Sequence, residues 1–524
     1  MTTQRATPSP DDGLRRRAAA AFTAGDLAEA ESLSRALLRR DPRSADALHH
    51  LGLIAHRRGQ PADAIALLRR ALRLAPKNAN VHFNLGVVLI ETGDVAAAIE
   101  SQRAAVACDP EYGAAWSSLS AALYQAGQFD EAVAAARRAV ELSPCMVGAA
   151  VNLAIALEAT GEETAPVAAF LACVERNPES ADAWFELARA LQRRGQAQAA
   201  IQAYERTCTL RPDHVMAHAQ CALARLLVGD LARGWAEYEW RLRRPGLDAR
   251  RSTAPRWRGE DLADRTILVH TEQGLGDALH MVRYLAPLAE VARAVIVEVD
   301  RAVLPVVPRV PRVTAVASGE VIPAHDVVSP LLSLPLRFGT TLETIPGRAP
   351  YLHVDASRVD AWDKMLSERG GGRRVGLVWA GNPDHDNDHN RSIPFASLAP
   401  LVEQAGFAWY GLHNRPLDAG AAAAGVIDLS ARLTDLGETA AAIMGMDLVI
   451  TVDTAVAHLA GGLGKPVWIL VPFVPDWRWL LDRDDSPWYP TARLFRQRRA
   501  GDWDAVIGRV AAALSAGGRA RANT

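Results

Sequence analysis

Lysine is nearly missing from this chain: Lys77, Lys364 and Lys465 are its lysines, among 58 lysines and arginines together. Arginine is abundant throughout, and against 60 acidic residues the formal net charge is only −2, so there is no general attraction to nucleic acid or an anionic membrane. Cysteine is also scarce. Cys108, Cys145, Cys173, Cys208 and Cys221 all fall in the first half and form no CxxC or histidine-paired cluster of the kind a structural metal uses, which points to a reducing compartment. Long hydrophobic runs are missing too: the N-terminus, MTTQRATPSPDDG, offers no signal-peptide core, and the most apolar stretch, near 446–473, is broken by Asp453, His458 and Lys465. The expectation is a cytoplasmic protein without a membrane span.

What is present is a repeat. Gly25, Gly59, Gly93, Gly127, Gly161, Gly195 and Gly229 are 34 residues apart each time, and Pro42, Pro76, Pro110, Pro144, Pro178 and Pro212 keep the same beat, with Pro245 one residue early. Each glycine sits where a short turn between two helices needs a permissive backbone, and each proline where a second helix must stop. A small residue recurs seven positions before each turn glycine, at Gly52, Gly86, Ser120, Ala154, Ala188 and Ala222, where paired helices approach closely. Alanine follows the turn at Ala30, Ala64, Ala98, Ala132 and Ala200, with Pro166 and Gly234 as departures; Pro166 is expected to shorten or distort its helix. The pattern resembles the tetratricopeptide family, in about seven helical hairpins over 10–245.

One position of each first helix stays polar: His50, Asn84, Ser118, Asn152, Glu186 and Gln220. Stacked repeats would align these residues into a ladder, on the concave face. Either they are merely solvated, or they line a groove that hydrogen-bonds the backbone of an extended acceptor peptide.

After the last repeat the composition changes, with eleven of the thirteen tryptophans lying from Trp235 onward. GWAEYEWR still reads as a second helix, and a polar joint follows it. Short β-rich runs then alternate with helical stretches: TILVH, AVIVEV, RVGLVWA, FAWYGLH, DLVITV and VWILVP. Such alternation means parallel sheets covered on both faces, with ligand at the carboxyl ends of the strands. The expected fold class is therefore an α-helical solenoid followed by two Rossmann-like α/β domains. The plan has a tail over 1–9, repeats over 10–245, a linker over 246–263, one α/β half over 264–355, a connecting helix over 356–372, a second half over 373–515 and a tail over 516–524.

Three segments could carry chemistry. TILVHTEQGLGDALH places Gly274, Gly276 and Asp277 at a strand-to-helix turn, where Asp277 is either a helix cap or a general base for an acceptor hydroxyl. DLVITVDTAVAHLAG delivers Asp453, Thr454 and Ala455 to the start of a helix whose free amides and dipole suit a diphosphate, with His458 one turn in, or in the core. Asp453 would repel a phosphate and is assigned to capping or to a sugar hydroxyl. The loop GNPDHDNDHNRSIPF holds Gly381, Asn382, Asn390, Arg391 and Ser392. Its Asp384, His385, Asp386, Asp388 and His389 could suggest a metal, but no fixed helix holds them together, whereas the fork of Arg391 suits a leaving phosphate. TDLGETAAAI resembles a capping box, Asp435 with Glu438, and Thr439 could line a donor pocket. The aromatic stretch with Trp477, Trp479, Trp488 and Tyr489 reads as packing more than as a stacking platform.

GLGD, WAGNP…NRS and VDTAVAHLAG together resemble the heptosyltransferase-like, family 9-like inverting glycosyltransferases. With the repeats, and with YEWR, EQGLGD, DWRW and SPWYPTARLFRQ, the whole chain looks like bacterial repeat-containing protein glycosyltransferases. The resemblance implies a GT-B arrangement, a nucleotide-sugar co-substrate, no resident cofactor and no required metal, with the first half on the acceptor side and the second on the donor side. It implies Asp277 as catalytic aspartate, Arg391 as phosphate-neutralising residue, often lysine in that family, and Thr454 through His458 as the diphosphate loop, with Ala455 where glycine is common. Flagellin is the acceptor protein associated with similar enzymes. Two other readings remain: a non-catalytic scaffold with a degenerate transferase half, and a transferase acting on a glycan or lipid. A homodimer also stays open.

Overall fold

The computed structural model describes residues 10–162, 165–244, 252–347, 349–368, 371–385 and 387–522. Pro245, the tail over 1–9, Asp386 and the first part of the linker, 246–251, lie outside the described residues. The chain divides into two compact units, 1–190 and 191–524.

Helices fill the first unit: α1 (Pro10–Thr23), α2 (Leu27–Arg40), α3 (Ala45–Arg57), α4 (Pro61–Leu74), α5 (Ala79–Glu91), α6 (Val95–Cys108), α7 (Gly113–Gln125), α8 (Phe129–Leu142), α9 (Val147–Ala159), α10 (Ala165–Arg176) and most of α11 (Ala181–Arg193). The 34-residue beat is a backbone requirement. All seven turn glycines have φ between 70° and 85°, the left-handed region that costs an L residue about 1–2 kcal/mol. A proline follows the residue that caps the second helix, and it forces that cap out of the helical region: Asp41, Ala75, Asp109 and Ser143 have φ from −127° to −140°. First helices begin on side-chain caps, Ser44 to the Ala47 amide and Asn78 to the Val81 amide, each contributing about 1 kcal/mol. The alanines after the turns, Ala30, Ala64, Ala98 and Ala132, are fully buried. A Cβ at Gly86 would lie 2.4 Å from the Gln102 amide, which is why the pre-turn position stays small. Pro166 sits in the first turn of the 12-residue α10, where a missing amide hydrogen breaks no bond.

The second unit begins with helices, α12 (Ala197–Leu210), α13 (Val215–Leu227) and α14 (Leu231–Tyr238), the last running into a 3-10 turn over Glu239–Arg243. It continues through β1 (Thr266–His270), α15 (Leu275–Met281), α16 (Leu285–Val291), β2 (Ala294–Val299), β3 (Val313–Ala317), β4 (Val327–Pro330), α17 (Leu334–Arg337) and α18 (Ala356–Ser367). Then come β5 (Arg373–Val378), α19 (Asp388–Arg391), α20 (Phe395–Val402), β6 (Phe407–Gly411), α21 (Ala419–Ala423), β7 (Ile427–Asp428), α22 (Leu436–Met444), β8 (Leu448–Val452), α23 (Ala455–Gly462), β9 (Val467–Val471), β10 (Ala492–Arg496) and α24 (Trp503–Ala522). α24 runs past 515, into the segment expected to be a tail, although Gly517 and Gly518 are poor helix formers.

Two parallel sheets result, ordered β3-β2-β1-β4 and β10-β9-β8-β5-β6-β7. Counted from its own first strand the second is ordered 6-5-4-1-2-3, the doubly wound nucleotide-binding order, and the first is a 3-2-1-4 version of it. The chain is thus an α-helical repeat array followed by two Rossmann-like α/β domains. The last helical hairpin belongs with them: Trp235 of α14 lies in one buried cluster with Trp477 and Trp488, and its indole donates to the Thr340 carbonyl at 3.2 Å. The division at 190 therefore falls well before the change in composition near 246. The aromatic stretch is packing: Trp477, Trp479, Trp488 and Tyr489 are each at most 3% exposed.

Candidate functional site

In a doubly wound sheet the chain leaves the two central strands in opposite directions, which opens a crevice at their carboxyl ends. In the second sheet these strands are β5 and β8. The loop after β5 ends in α19, where Arg391 donates from Nε to Asp388 at 3.1 Å and from Nη1 to the Asp453 carbonyl, just after β8, at 3.0 Å. Ser392 holds the loop from the other side, accepting from the Gly381 amide at 2.9 Å and donating to Asp388 at 2.8 Å. A Cβ at Gly381 would fall 2.5 Å from the Asp388 carboxylate and 2.7 Å from Arg391 Nη2, so glycine is what lets this guanidinium seat itself.

Thr454 caps α23 without using its side chain; its hydroxyl lies 3.2 Å from that of Thr451. The first amides of α23 are therefore left without a side-chain cap, at the positive end of the helix dipole. Burial, with the Asp476 carboxylate beside it, pushes the Asp453 carboxyl up to about 7. His458 is buried, its Nδ1 2.9 Å from the Tyr489 hydroxyl and its ring stacked at 5.4 Å on Trp479. Burial and the guanidinium groups of Arg478 and Arg283 push its pKa well down, so it is a neutral imidazole.

The first half meets this crevice at α15. A Cβ at Gly276 would lie 3.0 Å from His458 and 3.9 Å from the Ala455 Cα, so glycine permits the approach. Asp277 caps its own helix, accepting from the Gly274 amide at 3.1 Å, and is paired with Arg478. Arg478 also donates to His280 Nδ1 at 3.0 Å and to Asp476 at 2.9 Å. Arg478 thus joins Asp277, Asp476 and His280 directly, while its charge also acts on the neighbouring Asp453 and His458. Arg478 and Asp476 were not among the residues the sequence singled out: in DWRW the tryptophans dominate, and the partner of Arg478 lies 201 residues away.

Other expected residues are used elsewhere. Thr439 donates to the Asp435 carbonyl within α22. The capping box is half made: Asp435 accepts from the Glu438 amide, but Glu438 turns to the Trp362 indole at 2.7 Å and to Arg358. Asn390 donates to Asn387 at 2.7 Å, and Asn382 accepts from the Asp384 amide at 3.2 Å. In the same loop His385 accepts from the Asn387 amide, and Asp388 is committed to Arg391 and Ser392. Among the described residues one trio of metal-ligand type, Cys208, His218 and Glu237, has its ligand atoms within 4.8 Å of one another.

The polar ladder is stitched together from within. Asn84 lies 2.8 Å from His49 of the preceding repeat, and Asn152 donates to the Ser117 carbonyl and hydroxyl at 2.9 and 3.0 Å. Ser118 accepts from Gln102, and Glu186 pairs with Arg189. Burial pushes the His50 pKa down. In the second unit Gln220 lies 3.5 Å from Gln192.

Tetratricopeptide-repeat family models match residues 15–79, 57–113, 113–144 and 169–202. The helical half is built of tetratricopeptide repeats. A curated relative is protein FlbA of Caulobacter vibrioides, 30% identical over 333 residues, 57% of this chain and 55% of FlbA; the chain spans about half the length of the curated relative it matches. Similar solved structures include YrrB, a TPR protein with an unusual peptide-binding site (20% identity, 35% of this chain and 95% of that one, TM-score 0.29), and pilF of Pseudomonas aeruginosa (20% identity, 38% and 92%, TM-score 0.34). No helix among the described residues is long and apolar enough to cross a membrane.

Proposed function

We propose that the chain is an inverting glycosyltransferase of GT-B type, which moves a sugar from a nucleotide-sugar to serine or threonine hydroxyls of a protein bound by the repeats. The observation that carries this reading is the Arg391 bond to the Asp453 carbonyl: it sets a guanidinium beside an open helix start at the switch point of a 6-5-4-1-2-3 sheet, where such sheets take nucleotides.

In this reading Asp277 takes the proton of the acceptor hydroxyl, and the hydroxyl oxygen attacks the anomeric carbon from the face opposite the nucleotide. The bond from that carbon to the diphosphate breaks, and the departing charge is met by Arg391, the amides at the start of α23 and the Thr454 hydroxyl. Arg478 orients Asp277. Asp453, half neutral near pH 7, repels a phosphate less than an ordinary aspartate and can donate to a sugar hydroxyl. Neutral His458 supports the wall of the site rather than adding positive charge. Every group in this account belongs to the chain, so the reading asks for no resident cofactor. Protein-binding repeats favour a protein acceptor over a glycan or lipid, and flagellin is the acceptor to which the resemblance points.

Calorimetric titration with UDP, GDP, ADP and CMP tests the donor side. One of them is expected to bind, with affinity weakened in Arg391→Ala and kept in Asp277→Asn; no binding by any would favour a scaffold.

A further inference from the structure

The turn that carries Asp277 is held from outside its own sheet. Arg241, in the 3-10 turn that ends the last helical hairpin, is 2% exposed. It lies in the crevice between β1 and β4, the first sheet's own switch point. Its Nη2 donates to Glu272, just after β1, at 2.7 Å and to Ser333, just after β4, at 3.0 Å. Glu272 also accepts from the Leu332 amide at 3.3 Å. One residue further on, Gln273 donates to the Tyr238 hydroxyl at 2.9 Å. Gly274 follows, and its amide donates to Asp277. A continuous path therefore runs from Arg241 and Tyr238 through residues 272–274 to the Asp277 carboxylate.

Stability does not account for this arrangement. Arg241 and Glu272 both have side chains 2% exposed, and Arg241 Nε and Glu272 Oε2 have no hydrogen-bond partner among the described residues. Well-packed apolar residues of similar volume often stabilise a fold as well as a buried ion pair does or better, whereas a guanidinium that bonds the segments after both β1 and β4 fixes their spacing. At the place where such sheets normally take a ligand, the guanidinium that ends the last hairpin bridges the segments after β1 and β4.

We propose that Arg241, supported by Tyr238, is a positioning residue that sets the angle of the Asp277 turn, so that the last repeat is part of the reaction geometry as well as of the solenoid. This rests on the reading of Asp277 as the base.

The full-length chain tests it with two variants, Arg241→Lys, which keeps the charge but loses the fork, and Arg241→Met/Glu272→Gln, which removes both buried charges so that neither is stranded. Three readouts are taken: transfer kinetics, nucleotide affinity and amide exchange. Both variants are expected to lower kcat by about 100-fold, as a small misplacement of a reacting group does, and to speed exchange over 272–278. KM for the donor, nucleotide affinity and exchange over β8 and α23 should stay as in the parent. Unchanged kcat and unchanged exchange in both variants would overturn the proposal. A parent chain that transfers nothing, while exchange over 272–278 still responds to Arg241, would sink the role of Asp277 and leave the placement by Arg241 standing.

Discussion

Arg391 and Asp453 are joined across the switch point of the second sheet, guanidinium to backbone carbonyl at 3.0 Å. Removing that guanidinium removes a charge that faces the proposed diphosphate. Arg391→Ala is expected to weaken nucleotide binding about 10- to 100-fold, the range of a charge-assisted hydrogen bond of ~1.5–3 kcal/mol. Gly381→Ala should give a similar loss with every charge retained, because its Cβ would displace Asp388 and Arg391. Titration calorimetry measures both, and full affinity in Gly381→Ala would show that the seat is not shaped as described.

Asp453 gives a pH prediction. Its folded pKa, about 7, lies above the ordinary aspartate value of about 3.9, so between those values the folded state holds more protons than the unfolded one, and stability falls as pH rises through that window. Asp453→Asn should therefore raise Tm relative to the parent at pH 8, with the difference vanishing near pH 4. Thermal melts across pH 4–8 check it; a constant offset would mean the carboxyl titrates normally.

The buried histidines run the other way. Burial and neighbouring guanidinium groups depress His280 and His458, so the unfolded state binds more protons below its own pKa of about 6.5. Their contribution is complete above that pH and is lost as pH falls below it. His458→Gln should flatten the acid side of the stability profile, and an unchanged acid limb would contradict a neutral buried imidazole.

In the solenoid, Asn152→Ala removes two bonds to Ser117 and should cost about 1–3 kcal/mol in urea unfolding. Gly127→Ala should cost about 1–2 kcal/mol from backbone strain alone, since a Cβ there meets nothing within 4 Å. Equal stability of Gly127→Ala and the parent would contradict the left-handed turn.

How far the sequence could be read follows from the range of the forces involved. A glycine turn or a proline stop is a local matter, so the 34-residue beat led directly to seven positive-φ turns. The polar ladder was legible as positions, but its use was not: Asn152 is explained by Ser117, 35 residues away. Strong Val, Ile and Leu runs marked β1, β2, β5, β8 and β9, and the aromatic run FAWYG marked β6. The strands that were missed carry weaker signals: β3 is half exposed at a sheet edge, β4 ends in proline, β7 has two residues and β10 has two arginines among its five residues. Asp277, Arg391 and Asp453 stand where strands hand over to helices, a place that sequence marks well. Arg478 and Arg241 do not. Each acts through partners distant in sequence, and Glu438 left its capping box for Trp362, 76 residues away.

The transfer reaction itself is tested most directly with the purified full-length chain and material from its own cells. The chain, or its Asp277→Asn variant, is incubated with the cells' nucleotide-sugar pool and with protein from cells in which the chain has been deleted, and peptide masses are then compared. The account predicts a glycosyl mass gain on serine or threonine peptides with the parent and none with Asp277→Asn. No gain with the parent, or an equal gain with both, would contradict it.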